Sequence, residues 1–146
     1  MAINIDDLRR LAMRRLPRAV FDFADGGAED EQTLRANRAD FAKLTLRPKV
    51  LVDVSKRDQS TTILGTPVSS PLILAPTGLA GMLWAKGEMA AARAAARHDV
   101  IFTLSTLGAC SVEEVAEASD GPLWFQLYVM KDREVTRALV ERAQRA

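Results

Sequence analysis

Three short stretches of this chain carry the residue types that could do chemistry together: Pro76, Thr77 and Gly78; Ser105 and Thr106; and Gln126, Leu127 and Tyr128. They offer backbone polar groups in a glycine-bearing loop, two hydroxyls, a carboxamide that both donates and accepts, and a phenol. No charged side chain, metal-ligand set or phosphate-cradling loop stands among them. Such a set suits the edge of a neutral heterocycle, which is read by matched donors and acceptors. Each position also has an ordinary explanation, since Ser and Thr end many strands and Gly turns many loops. Gln126 is the sharpest, because a carboxamide inside the apolar run from Leu123 to Leu127 costs stability unless it is paired.

Positioning these residues requires strands that end side by side. Leu72, Ile73, Leu74 and Ala75 form a run apolar on both faces, which fits a strand buried in a parallel sheet. The run stops at Pro76; Thr77, Gly78 and Gly81 follow in a loop, and an alanine-rich helix is expected over roughly Glu88 to Arg97. Ile101 to Leu104 reads as a second strand, ending at Ser105 and Thr106 with Gly108 in the loop. Ser111 and Glu114 then form a capping-box pattern that opens a helix on Val112, Val115 and Ala116. Gly121-Pro122 breaks that helix, and Leu123 to Leu127 reads as a third strand. Asp132 caps a last helix with Val135, Ala138, Leu139 and Arg142 at helical intervals. Strand, loop and helix thus recur three times, and right-handed crossovers would bring all three carboxyl ends to one rim.

Before the repeat, residues 1–43 read as helices. Ile5, Leu8, Ala12 and Leu16 share one face, with Arg9, Arg10, Arg14 and Arg18 mostly opposite. Pro17 suits the first turn of a second helix, ending at Gly26-Gly27 in a left-handed turn. Glu29, Asp30 and Glu31 are expected in the first turn of a third. Residues 44–70 read as a cover segment with a small hairpin, Thr61 to Leu64 and Thr66 to Val68 around Gly65. Residues 71–146 hold the three repeating units.

Composition narrows the classes. A 146-residue chain with 48% hydrophobic content can bury one core, and a net charge of +1 gives no global field for nucleic acid. The basic face of the first helix is therefore read as a solvated surface. One cysteine, Cys110, cannot form an internal disulfide and has no base near it in sequence. His98, the sole histidine, follows the alanine-rich helix at the wrong end for the rim. No metal site is expected, and the reduced thiol and missing signal segment make a cytoplasmic setting the default.

The stretches LPRAVFDFADGGAEDEQTLRANR, LILAPTGLAGMLWAKGE, FTLST, SVEEVA and LWFQLYV together resemble the N-terminal part of the FMN-dependent α-hydroxy acid oxidase and dehydrogenase family, which includes glycolate oxidase, flavin-type L-lactate dehydrogenase and mandelate dehydrogenase. The resemblance is collinear from about residue 8 to the end. It implies an α/β fold, the N-terminal portion of a (β/α)8 TIM barrel: its first three βα units, preceded by helices and a small hairpin. It implies FMN as cofactor, a small 2-hydroxy acid as substrate, and a homo-oligomer for a full-length form. By position, Pro76, Thr77 and Gly78 would present backbone to the flavin. Ser105 and Gln126 would bond its polar edge, and Tyr128 would contact flavin and aim its hydroxyl at the substrate.

Two departures matter. Phe23 stands where the family usually has a tyrosine that donates to the substrate carboxylate. The family's histidine base, arginine clamp, lysine and phosphate site come from later strands. A (β/α)8 barrel takes about 250 residues, so the 146-residue chain alone is expected to be inactive. The competing expectation is a catalytically inactive partial barrel that associates through its open sheet edge. Membrane attachment through a later segment, the choice of hydroxy acid and the electron acceptor are left open.

Overall fold

The computed structural model describes residues 2–146. They form two compact units that meet at Arg57 and Asp58, so the expected cover segment is divided between them.

The first unit is helical. α1 (Ile5–Arg15) starts at Asn4, whose side chain accepts the Asp7 N–H, and ends at Leu16. α2 (Arg18–Asp25) has Pro17 as its N-cap and buries Phe21. The Arg9 guanidinium chelates the Asp25 carboxylate, with Nη2 to Oδ2 at 2.6 Å, and ties α1 to α2. α3 (Gln32–Ala39) runs into a 3-10 turn at Asp40–Lys43, and Arg38 ties it to Asp6 of α1 at 2.8 Å.

Two expectations fail here. Gly26 caps α2 with φ −78°, in extended backbone, and Glu29 and Glu31 take the left-handed conformation instead. The glycines serve close approach: a Cβ on Gly27 would stand 3.0 Å from the Leu34 Cβ. For the same reason Glu29, Asp30 and Glu31 lie before α3, and the Glu31 carboxylate turns back to accept the Gly27 N–H at 3.1 Å.

The second unit holds two sheets. β1 (Thr61–Ile63) and β2 (Thr66–Val68) make an antiparallel hairpin separate from the main sheet, turning at Leu64 and Gly65, both at positive φ. That pair of values matches the type I′ turn preferred by two-residue hairpins. The hairpin is fastened to the turn before the central strand of the main sheet by Ser69, whose N–H donates to Asp99 O at 2.9 Å and whose hydroxyl donates to His98 O at 2.5 Å.

The main sheet is parallel, in the order β3 (Ile73–Leu74), β4 (Ile101–Ser105), β5 (Leu123–Gln126). Its strands lie where the three apolar runs placed them, and one correction is substantial. The run from Leu72 to Ala75 is exposed, not buried: β3 is an edge strand two residues long, and none of its residues packs into the core built on Phe102 and Leu104 of β4. The strand buried at every residue is β4. A further difference follows β3: Gly81 lies in a one-turn helix, α4 (Ala80–Leu83), rather than in a loop.

Alternation along the strands divides the sheet. Phe102 and Leu104 of β4, with Leu123 and Phe125 of β5, face the helices α5 (Gly87–Arg97) and α6 (Val112–Glu117). Ala92 and Ala95 of α5 and Val115 of α6 close this core. Each large apolar side chain so buried contributes about 1.5–3 kcal/mol. The capping box at Ser111 and Glu114 is formed as the spacing predicts. α7 (Arg133–Arg145) is capped by Asp132. It turns Leu139, Val140 and Ala143 inward, leaving Val135 and Ala138 exposed, about one residue off the expected face. Arg142 of α7 grips Glu113 of α6 through two bonds of 2.8 and 2.7 Å, and this pairing holds the Glu113 carboxyl down at about 2.

Small residues decide how closely α5 lies against its surroundings. A Cβ on Gly121 would fall 2.6 Å from the Ala96 Cβ and 2.7 Å from its Cα. Gly121→Ala should therefore destabilise the fold by about 1–3 kcal/mol, as overpacking against backbone does. Urea unfolding checks this, and an unchanged midpoint would show that the loop before β5 yields freely.

Candidate functional site

Parallel pairing sets Ser105 opposite Gln126, at the last rung of the β4–β5 ladder. The Ser105 hydroxyl donates to Gln126 Oε1 at 3.2 Å and accepts the Leu107 N–H at 3.1 Å. Thr106 N–H also reaches Gln126 Oε1, at 3.4 Å, and Gln126 O, at 3.1 Å. A backbone N–H can only donate, so this contact fixes which end of the carboxamide is oxygen. Among the described residues Gln126 Nε2 donates to none, and its two N–H groups remain for a ligand.

Around this pair the β3 loop closes in. Leu79 N–H donates to Leu107 O at 2.9 Å, binding the loop after β3 to the loop after β4. At Gly78 a Cβ would meet the Leu107 Cβ at 3.3 Å and the Ser105 Oγ at 3.8 Å. Pro76 and Thr77 are exposed; an open groove of about 810 Å³ runs past Pro76, Thr103 and Gln126 and along edge strand β5 to Val140, Ala143 and Gln144 of α7. Tyr128 follows β5, 53% exposed, with its N–H held by Thr106 Oγ1 at 3.0 Å.

The structure thus brings Gly78, Ser105 and Gln126 together at one end of the sheet, flanked by Pro76, Thr77 and Tyr128. Strand β5 ends at Gln126, one residue short of the expected Leu127, and Tyr128 is placed by Thr106 rather than by strand alternation. Phe23 belongs to the other unit, on α2, 70% exposed. His98 caps the carboxyl end of α5, before β4 begins, and so stands at the opposite end of the sheet from Ser105.

Glu88 escaped the sequence reading. It is 2% exposed, in the first turn of α5, and its carboxylate accepts the Ala109 N–H at 2.8 Å and the Cys110 thiol at 3.5 Å. Burial pushes its pKa up, but the N–H groups of Ala109, of Glu88 itself and of Gly81, with the Cys110 thiol, outweigh that and hold it below the ordinary 4.5. Burial and the same carboxylate push the Cys110 thiol up, which keeps it protonated and a poor nucleophile. The acid at the start of an alanine-rich helix was visible in sequence, but exposed acids favour that position too.

The FMN-dependent dehydrogenase family model matches residues 12–146. L-lactate dehydrogenase of Pectobacterium atrosepticum is 50% identical over 140 residues, 96% of this chain and 36% of that protein. The corresponding L-lactate dehydrogenase of Caulobacter vibrioides is 51% identical, over 96% of this chain and 37% of that protein. Among solved structures, a soluble mutant of the membrane-associated (S)-mandelate dehydrogenase from Pseudomonas putida superposes with a TM-score of 0.91 at 46% identity, covering 99% of this chain and 41% of that one. A mandelate oxidase gives a TM-score of 0.89 at 35% identity, covering 99% of this chain and 43% of that one. The chain belongs to the FMN-dependent dehydrogenase family, and its cofactor is FMN. It spans 36–37% of the length of these curated relatives.

Because Glu88 has a lowered folded pKa, its stabilising effect is present above about pH 4.5 and is lost as pH falls through the folded value. Glu88→Gln should therefore lower the unfolding midpoint at pH 7, and the gap from the unaltered protein should narrow on acidification. Thermal unfolding between pH 7 and about pH 3 tests it; a gap that widens toward acid would reverse the sign.

Proposed function

We propose that this chain is the flavin-facing N-terminal part, the first three βα units of a (β/α)8 barrel, of an enzyme that oxidises a small L-2-hydroxy acid of the lactate, glycolate or mandelate class to the 2-oxo acid. The observation that carries it is the rim itself: a neutral set of donors and acceptors gathered where three parallel strands end, with a carboxamide N–H pair left over. Ligands in barrels of this kind bind at that end.

The residues fit a flavin. Gly78 lets backbone approach the rim without a side chain, in space that a Cβ would crowd against Leu107. Pro76 and Thr77 extend that backbone surface. Gln126 Nε2 would donate to the acceptors of the flavin's polar edge, and Ser105, which orients Gln126, would add its remaining lone pair. FMN, when bound, supplies the acceptor for the two electrons that leave the substrate's α-carbon. Tyr128, placed just past β5 by the Thr106 hydroxyl, would contact the flavin and offer its hydroxyl to the hydroxy-acid head. Phe23 keeps only the part that the resemblance gives it, an aromatic ring with no hydroxyl to donate to a carboxylate.

Among the described residues no histidine or arginine stands at this rim as a base or carboxylate clamp, so residues 1–146 alone are proposed to be inactive, with both groups supplied by later strands. None of the described helices is long and apolar enough to cross a membrane. One solved neighbour is described as a monotopic membrane protein, so a surface attachment outside these residues is compatible with this reading.

In a full-length protein carrying this part, Gln126→Leu should strip a flavin contact, cost about 1–3 kcal/mol of FMN binding and lower flavin content. Tyr128→Phe should keep FMN and reduce turnover on the order of a hundredfold, the scale of losing one donor at a reacting centre. Flavin absorbance per protein, with dye-coupled oxidation of L-lactate, separates the two roles. Loss of flavin in Tyr128→Phe with none in Gln126→Leu would invert the assignment.

A further inference from the structure

At Gln126 the chain is held by a backbone bond from the Thr106 N–H, at 3.1 Å, and from there to Tyr128 a side chain takes over. The β4–β5 ladder ends at Ser105 and Gln126. Beyond it the chain after β4 turns away, with Gly108 N–H bonding back to Ser105 O at 2.9 Å. The Tyr128 N–H, which a continued ladder would give to the Thr106 carbonyl, goes instead to the Thr106 side chain. Thr106 fills the gap: its Oγ1 donates to Gln126 O at 2.5 Å and accepts the Tyr128 N–H at 3.0 Å. One hydroxyl thereby supplies the missing rung and grips the backbone on both sides of Leu127. The direction of the Tyr128 side chain is set by the backbone it leaves from, and Tyr128 lies two residues beyond the end of β5, exposed.

We propose that Thr106 is a positioning residue whose hydroxyl fixes the Tyr128 backbone and, through it, the aim of the phenol. This rests on the proposed role of Tyr128. The requirement is for a hydroxyl at this place, not for the rest of the threonine. Thr106→Val keeps the shape and removes the donor and acceptor; Thr106→Ser keeps both. A displacement of about 1 Å at a reacting group can cost up to a hundredfold in rate, so a loss of roughly ten- to hundredfold in kcat is expected for Thr106→Val.

The test uses the full-length, FMN-loaded protein and L-lactate with a redox dye, beside amide hydrogen exchange of the peptide containing Tyr128. Thr106→Val should lower kcat with KM and FMN content nearly unchanged, and should speed exchange at Tyr128 by tenfold or more. Thr106→Ser should restore both. In a Tyr128→Phe background, Thr106→Val should cost little further rate, because the phenol through which it acts is already gone. If Thr106→Val matches the unaltered protein in rate and exchange while Tyr128→Phe is impaired, the positioning role is wrong and the reading of Tyr128 survives. If Tyr128→Phe itself turns over normally, both are wrong. Should Thr106→Val fail to fold, Thr106→Ala read by the same exchange experiment decides between protection and its loss.

Discussion

Backbone hydrogen bonding along both edges of β4 is the constraint on which the rest depends. β4 pairs in parallel with β3 on one side and β5 on the other, and every residue in it is buried. Parallel register aligns the carboxyl ends, so the loops after three separate strands must emerge together. The helix-facing half of β4 makes this arrangement stable, because Phe102 and Leu104 anchor the alanine surface of α5 and Val115 of α6. Its other half makes the arrangement useful, since it delivers Ser105 between Gly78 and Gln126.

What gathers at that end is a chain of neutral hydrogen bonds. Ser105 accepts from its own loop and donates across the sheet, and Thr106 clasps the next strand from both sides of Leu127. Buried polar groups hold a unique geometry when they are satisfied, and cost stability when they are not. Among the described residues no buried side-chain nitrogen or oxygen lacks a partner, and the Gln126 N–H pair, without one in the chain, is open to solvent. Glu88, one layer behind, ties the start of α5 to the loop after β4, so the rim is braced by a charge that does not reach it.

The strands and the caps of α6 and α7 were legible because each is written locally. Ser111 with Glu114 and Asp132 bond their own helix starts, and the apolar runs of β4 and β5 are bounded by turn residues. Burial was not legible at β3, since an apolar run records what a strand tolerates and not what packs against it. Gly26 and Gly27 misled for a similar reason: glycine marks either a left-handed turn or a close approach, and only coordinates distinguish them. Ser105 and Gln126 stood out in the sequence by residue type. Their mutual bond was not, nor was the bridging role of Thr106, because both depend on register between strands about twenty positions apart.

The central claim is that the free carboxamide nitrogen of Gln126 meets the flavin. A crystal structure of the full-length, FMN-bound protein measures this directly. The account predicts Gln126 Nε2 within about 2.7–3.2 Å of an acceptor on the flavin's polar edge, with Ser105 still bonded to Oε1 and the Gly78 backbone against the ring. A flavin seated elsewhere, with Gln126 Nε2 facing only solvent, would contradict it.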